Sequence, residues 1–334
     1  MINIGFIGLG DMGMCQVRTF LKVRGAKIVA GADVSNKSRT RFAEHVPDAA
    51  VYADHRDLLG DGRVDAVVVV VPTYYHDKIA INALKSGRPV LVEKPMARTV
   101  AAARRMNDIA RSTGQLLMVA QCRRYDEDWG KFADIYRRGM LGHPILWRHV
   151  LAGFGPGPSW FCDEKLGGGP LMDGAVHDQD FANMLFGDPV RVQASGIKLT
   201  NASAMDSCTA VVHYPRGDQL MLSWSWGVAP SGGGVQDALG TAGSVQFNPW
   251  DLEGAGIDIK KFGYYRITTR RTRKSKLIRF RRRDMYVTQG RHFLDCIAGR
   301  AKCITPGTEA IKAVAVGNAI LKAGPKGGSM AVRW

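Results

Sequence analysis

A chain of 334 residues exceeds what one ordinary hydrophobic core spans, so two domains are expected. Its 46% hydrophobic and 23% charged content exclude a disordered or collagen-like polymer, and no window approaches the roughly 18 consecutive apolar residues of a membrane helix. The formal charge of +16 leaves nucleic acid, an acidic membrane surface or an anionic substrate open as partners.

The N-terminal "MINIGFIGLG" is apolar but lacks a basic leader, so no signal peptide is read and the cytoplasm is the expected compartment. Cys15, Cys122, Cys162, Cys208, Cys296 and Cys303 form no CxxC pair, and no histidines stand beside them at zinc spacing. Reduced thiols and no structural metal are therefore expected.

In chain order, "INIGFIG" reads as a strand and "MCQVRTFLKV" as a helix, followed by a second strand "AKIVAGAD". A helix near Lys37 to His45 precedes the strand "VDAVVVVVP", whose near-continuous valine suits a parallel strand covered on both faces. A helix from about His76 to Ser86, the strand "RPVLVE", a helix through Val100 to Ser112 and the strand "QLLMVA" complete the alternation. This pattern predicts a doubly wound parallel sheet of Rossmann type over residues 1–122.

"GLGDMG" sets Gly8, Gly10 and Gly13 in GxGxxG spacing between the first strand and helix. Gly8 permits the tight turn, Gly10 lets a pyrophosphate approach the backbone, and Gly13 lets helix and strand pack closely. Asp11 and Met12 begin the helix, whose free amides and dipole favour the phosphates. Asp33 ends the second strand, where its carboxylate suits ribose hydroxyls and repels a 2′-phosphate. NAD is the expected cofactor, with NADP kept open by Lys37 and Arg39. Pro72, Thr73 and His76 in "VPTYYH", and Glu93 and Lys94 in "VEKP", stand where strands end, on the ligand-facing edge of such a sheet. The pair Glu93 and Lys94 reads equally as a solvated charge pair at a strand end.

After Cys122 the alternation fails. "RRYDEDWGKFADIYRRG" reads as a helix, "HPILWRHVLAGF" as a strand, and "CTAVVHYPRGDQLMLSWSW" as a hairpin turning at Pro215 to Asp218. "GSVQF" extends the strand-rich stretch, and helices return at about Gly290 to Ala298 and Thr308 to Ala323. Residues 123–334 are thus expected to form an α+β domain with a largely antiparallel open sheet. In "GGGPLMDGAVHDQD", one helix running on from Leu171 places Asp173, His177 and Asp180 at i, i+4 and i+7, on a shared face. A carboxylate beside an imidazole suits a general base. A polar helix face that simply meets water fits the same spacing. The basic run "YYRITTRRTRKSKLIRFRRR" reads as a solvated hairpin edge whose charge discourages edge pairing. No RNA-binding or helix-turn-helix pattern accompanies it.

Taken together, "GFIGLGDMG", "VPTYYH", "LVEKP", "CRRYD", "SWFCDEKLGGGPLMDGAVHDQD" and "FLDCIAGR" resemble the Gfo/Idh/MocA oxidoreductases, the family of glucose–fructose oxidoreductases and inositol dehydrogenases. The resemblance implies a nicotinamide-dependent enzyme acting on the CH–OH group of a sugar, cyclitol or related polyol. It also implies a homodimer or homotetramer built through the C-terminal sheet. Carried over by position, Lys94 matches the active-site lysine, Asp173 the substrate-binding aspartate and His177 the catalytic histidine. Arg124 and Trp160 look like residues lining the substrate pocket. Ala175 departs from the glycine common in relatives, and residues 248–283 match no motif. The arginines there leave an anionic substrate open, and the loops "AGFGPGPSW" and "WGVAPSGGGVQD" leave substrate identity open. Two other readings stay beside the dehydrogenase: a redox-assisted glycoside hydrolase or lyase, and a non-enzymatic dinucleotide sensor binding nucleic acid.

Overall fold

The computed structural model describes residues 1–157, 159–229, 234–249, 258 and 261–334. Residue 158 and residues 230–233, in the two loops just named, lie outside the described residues, as do most of 250–260. The chain divides into two compact units, Met1–Cys122 with Met285–Ile311, and Arg123–Asp284 with Lys312–Trp334.

The first unit runs β1 (Ile2–Ile7), α1 (Asp11–Phe20), β2 (Ala26–Ala32), α2 (Asn36–His45), β3 (Ala50–Tyr52), α3 (His55–Gly60), β4 (Ala66–Val69), α4 (His76–Lys85), β5 (Val90–Val92), α5 (Val100–Thr113) and β6 (Leu117–Val119). Its six strands are all parallel in the order β3-β2-β1-β4-β5-β6, the doubly wound order that opens a ligand site where β1 and β4 part company. All four β4 residues are buried, as expected for a strand covered on both faces. Caps set the helix limits: Thr99 Oγ1 accepts from the Ala102 amide at 3.2 Å, and Gly114, with φ +67°, ends α5. The short β3 and α3 escape a hydrophobic-period reading.

The second unit contains α6 (Glu127–Arg137), β7 (Ile145–Ala152), α7 (Pro170–Asp173), α8 (Val176–Phe186), β8 (Arg191–Ile197), β9 (Ser207–His213), β10 (Gln219–Ser225), β11 (Val235–Gly240), β12 (Gly243–Phe247), β13 (Phe262–Thr269) and β14 (Ser275–Arg281). The chain then returns through α9 (Met285–Ile297) and α10 (Gly307–Ala323) to β15 (Ser329–Ala331). A nine-stranded sheet runs β14-β13-β12-β11-β7-β10-β9-β8-β15, antiparallel except where β7 meets β10. Alternate residues face a helix layer, where Trp147 is fully buried among Trp129, Phe132, Phe181 and Phe247. Trp129 meets the Phe181 ring edge-on at 5.0 Å, the arrangement aromatic quadrupoles favour.

Two expectations need correction. Residues beyond 122 do not all join the second unit, because α9 packs on α1: a Cβ at Gly290 would meet Val23 at 3.0 Å and Phe20 at 3.3 Å. The same segment extends the first sheet, with the Val119 amide donating to Thr305 O at 2.9 Å and Met118 bridging Pro306. The helix expected from Leu171 is also broken, into α7 and α8, at Gly174 and Ala175. The Ala175 amide reaches back five residues to Pro170 O at 2.9 Å, the wide turn of a π-bulge. Among the described residues no helix is long and apolar enough to cross a membrane.

Candidate active site

At the first βα turn, Gly8 sits at φ +95°, and a Cβ there would lie 2.3 Å from Val70 O. A Cβ on Gly13 would lie 2.2 Å from Gly8 O, so both positions need glycine for packing alone. Gly10 differs: nothing lies within 4 Å of a Cβ built there. The open space stands at the N-terminus of α1, whose cap is Gly10 with no side-chain capping bond. A pyrophosphate fits that cradle, close to amides it can accept from. Exposed Asp11 pairs with Arg41 at 2.8 Å, and Met12 is 36% exposed, so both flank the cradle rather than fill it.

Half-buried Asp33 is fixed by two amides, Leu9 N–H to Oδ2 at 2.7 Å and Ser35 N–H to Oδ1 at 2.8 Å. Each oxygen keeps a further lone pair for a ribose hydroxyl. Arg39 turns its guanidinium onto the carbonyls of Asp33 and Val34 and the side chain of Asn36. These bonds occupy the group that would otherwise greet a 2′-phosphate.

Lys94 follows β5 on a tightly held turn. Glu93 is only 7% exposed, so it is not a solvated charge at the strand end; its carboxylate accepts from Gln16 Nε2 at 2.7 Å and from the Lys94 amide at 3.1 Å. His76 is also buried, with Nδ1 2.8 Å from Pro95 O and Nε2 2.8 Å from Val71 O. His76 therefore ties the loop after β4 to the turn carrying Lys94. Thr73 is buried and Pro72 half-buried in the same loop.

In the second unit, Asp173 ends α7 and His177 lies in the first turn of α8, both half-buried. A water-facing polar helix does not describe α8, because Asp178, Gln179, Asp180 and Asn183 are all buried. Arg124 grips Asp180 with two parallel bonds, Nε to Oδ2 at 2.7 Å and Nη2 to Oδ1 at 2.8 Å, with side-chain exposures of 5% and 2%. Such a paired, fork-like contact fixes α8 against the turn Cys122–Tyr125. Gly174 is required where it stands, since a Cβ would lie 2.5 Å from the Trp224 ring. Trp160 stacks on Phe161 at 3.8 Å, in a loop that Gly167 lets fold back tightly on the Phe161 backbone.

Sequence reading missed a second acid–imidazole pair. His149 on β7 places Nδ1 2.6 Å from Asp178 of α8, and its ring meets Trp224 edge-on at 5.4 Å. Register puts Gln236 beside His149 on the same face of the sheet. Gln236 Nε2 and Trp224 Nε1 are buried with no hydrogen-bond partner among the described residues, the condition of donors awaiting a ligand or water. These side chains come from three strands distant in sequence, so no local motif signals them. The basic run, by contrast, forms β13 and the sheet-edge strand β14, with mostly exposed charges. Arg282 turns inward to Asp128, Nε to Oδ1 at 2.8 Å.

The family follows from comparison with known proteins. The model of the Gfo/Idh/MocA oxidoreductase family, NAD-binding Rossmann fold, matches residues 2–121, and that of the GFO/IDH/MocA C-terminal domain matches residues 129–246. The chain belongs to this family, and its first unit is an NAD-binding Rossmann domain. Among curated relatives, inositol 2-dehydrogenase 1 of Saccharopolyspora erythraea is 32% identical over 57% of this chain and 56% of its own length. The scyllo-inositol 2-dehydrogenase (NAD(+)) of Bacillus subtilis is 27% identical over 61% of this chain and 60% of its own. The matches thus span little more than half of these relatives. An oxidoreductase of Agrobacterium radiobacter, solved with NAD+, L-tartaric acid and magnesium, shares the fold at TM-score 0.85 and 18% identity, covering 99% of this chain and 98% of that one.

Proposed function

We propose that the protein is an NAD-dependent dehydrogenase that oxidises a CH–OH group of a cyclitol, sugar or related polyol. The observation that carries this reading is the pairing of an open Gly10 cradle with a lysine turn locked by two buried groups, Glu93 and His76. The inositol dehydrogenases among the relatives support the substrate class. So do the unsatisfied donors of Trp224 and Gln236, which suit the oxygens of a polyhydroxylated ligand.

In this reading the nicotinamide, when bound, supplies the acceptor for the two electrons leaving the carbinol carbon. His177 takes the hydroxyl proton at Nε2, and Asp173 steadies the imidazolium. Lys94 donates a hydrogen bond to the same substrate oxygen and stabilises its developing negative charge. Arg124 and Asp180 position α8 rather than touch the reacting atoms, and Trp160 contributes a wall of the substrate pocket. Asp33, Gly10 and the α1 amides hold the cofactor, with NAD preferred over NADP because the Asp33 carboxylate repels a 2′-phosphate.

The test is a panel of cyclitols, aldoses, aldonates and sugar phosphates assayed with NAD and NADP. Accumulation of NADH with one polyol class supports the proposal. Substrate breakdown without accumulated NADH would instead assign redox-assisted hydrolysis or elimination.

A further inference from the structure

Away from these residues, the first unit gathers three soft donors on one face of its C-terminal segment. His292 and Cys296 stand one helical turn apart on α9, so they share a face. The chain then reverses at Gly299, with φ +70°, while the Arg300 and Ala301 amides close onto Asp295 O at 2.8 and 3.2 Å. That turn brings Cys303 back. The His292, Cys296 and Cys303 ligand atoms all lie within 4.8 Å of one another, and all three residues are half-buried.

The Ile304 amide can only donate, and it points to His292 Nε2 at 3.3 Å, so the proton sits on Nδ1 and a bound ion would take the Nε2 lone pair in place of this amide. Cys296 Sγ lies 3.3 Å from the same nitrogen. We propose that His292, Cys296 and Cys303 bind one thiophilic divalent cation of the zinc type, with a water in the fourth position. Tetrahedral zinc with sulfur ligands at about 2.3 Å spaces its donors by about 3.8 Å, so the cluster needs only a small contraction. Two thiolates would neutralise the ion, which suits a partly buried site. Asp295 is already engaged by Arg300, Nη2 to Oδ1 at 2.7 Å, and is left out of the ligand set.

A disulfide between the two cysteines is the competing use of the same sulfurs. It gives no role to the imidazole. The ion would staple the end of α9 to the strand-like segment Thr305 and Pro306 on the β6 edge, fastening the returning segment to its own sheet.

The experiment uses the untagged full-length protein, reduced and freed of metal, titrated with Co2+ and then Zn2+. The expected result is one tight equivalent of cobalt, with the intense visible bands of a tetrahedral site and a thiolate-to-metal charge-transfer band. In C303S that band falls to about half or disappears, and zinc no longer raises Tm as it does in the wild type. C162S, outside the cluster, leaves both readouts unchanged. Absence of a thiolate band in the reduced wild type, or a band unaltered in C303S, overturns the proposal. A Cys296–Cys303 disulfide that persists under reductant and excludes cobalt overturns it equally.

Discussion

In the proposed reaction Lys94, Asp173 and His177 carry the chemistry, and each is testable by truncation. Lys94→Met and His177→Ala should each lower kcat by about two to four powers of ten, while calorimetry shows NAD binding retained. The buried partner makes a different prediction. Glu93→Leu leaves the Gln16 amide without its acceptor, a loss of about 1–3 kcal/mol that chemical denaturation would register, and it frees the lysine turn. Asp33→Ser should shift cofactor preference toward NADP, read as the ratio of kcat/KM for the two cofactors. Asp33 was marked by its distance from the glycine loop, whereas the roles of Lys94, Asp173 and His177 came from the family resemblance, since spacing alone left a solvated charge pair and a water-facing helix open. His149, Trp224 and Gln236 were illegible because only strand register brings them together, and Asp178 of α8 joins them through its contact with His149.

At the level of elements, the glycine loop separates packing from binding. Gly8→Ala forces a left-handed backbone and a 2.3 Å approach to Val70 O, so it should impair folding of the first unit. Gly10→Ala meets no protein atom and should leave Tm nearly unchanged while sharply weakening NAD, as isothermal titration would show. The helices and long strands of the first unit were readable from period and caps. β3, α3, β8 and β11 were not, since they are short or lack a clean apolar stripe. The π-bulge at Ala175 was hidden as well. Beside it the Trp224 ring, from a strand distant in sequence, lies where a Cβ at Gly174 would stand. Likewise, His292 and Cys296 pass unnoticed when zinc is sought through CxxC spacing, since their partner Cys303 returns through a turn.

For the whole molecule, the return of 285–311 to the first unit means that a fragment ending at residue 122 lacks its cover over Phe20 and Val23. Such a fragment should melt well below the full chain and bind a hydrophobic dye, whereas fusing 285–311 to it restores a cooperative transition. Acid stability has a named contributor in the second unit. Burial pushes the Asp206 carboxyl upward, but bonds from the Thr200 hydroxyl (2.6 Å) and the Leu199 and Thr200 amides outweigh it and hold the carboxyl below its ordinary value. Because the folded value is depressed, this stabilisation is present above the unfolded carboxylate pKa of about 3.9 and is lost as pH falls through the folded one. Asp206→Asn should therefore flatten the acid limb of a Tm-against-pH curve.

The most direct measurement is NADH formation in a single turnover with the best polyol of the panel, run on the wild type, Lys94→Met and His177→Ala. One equivalent of NADH in the wild type, slowed at least about a hundredfold in both variants at saturating NAD, is the predicted result. Undiminished turnover in both variants, or no NADH from any polyol, would contradict the account.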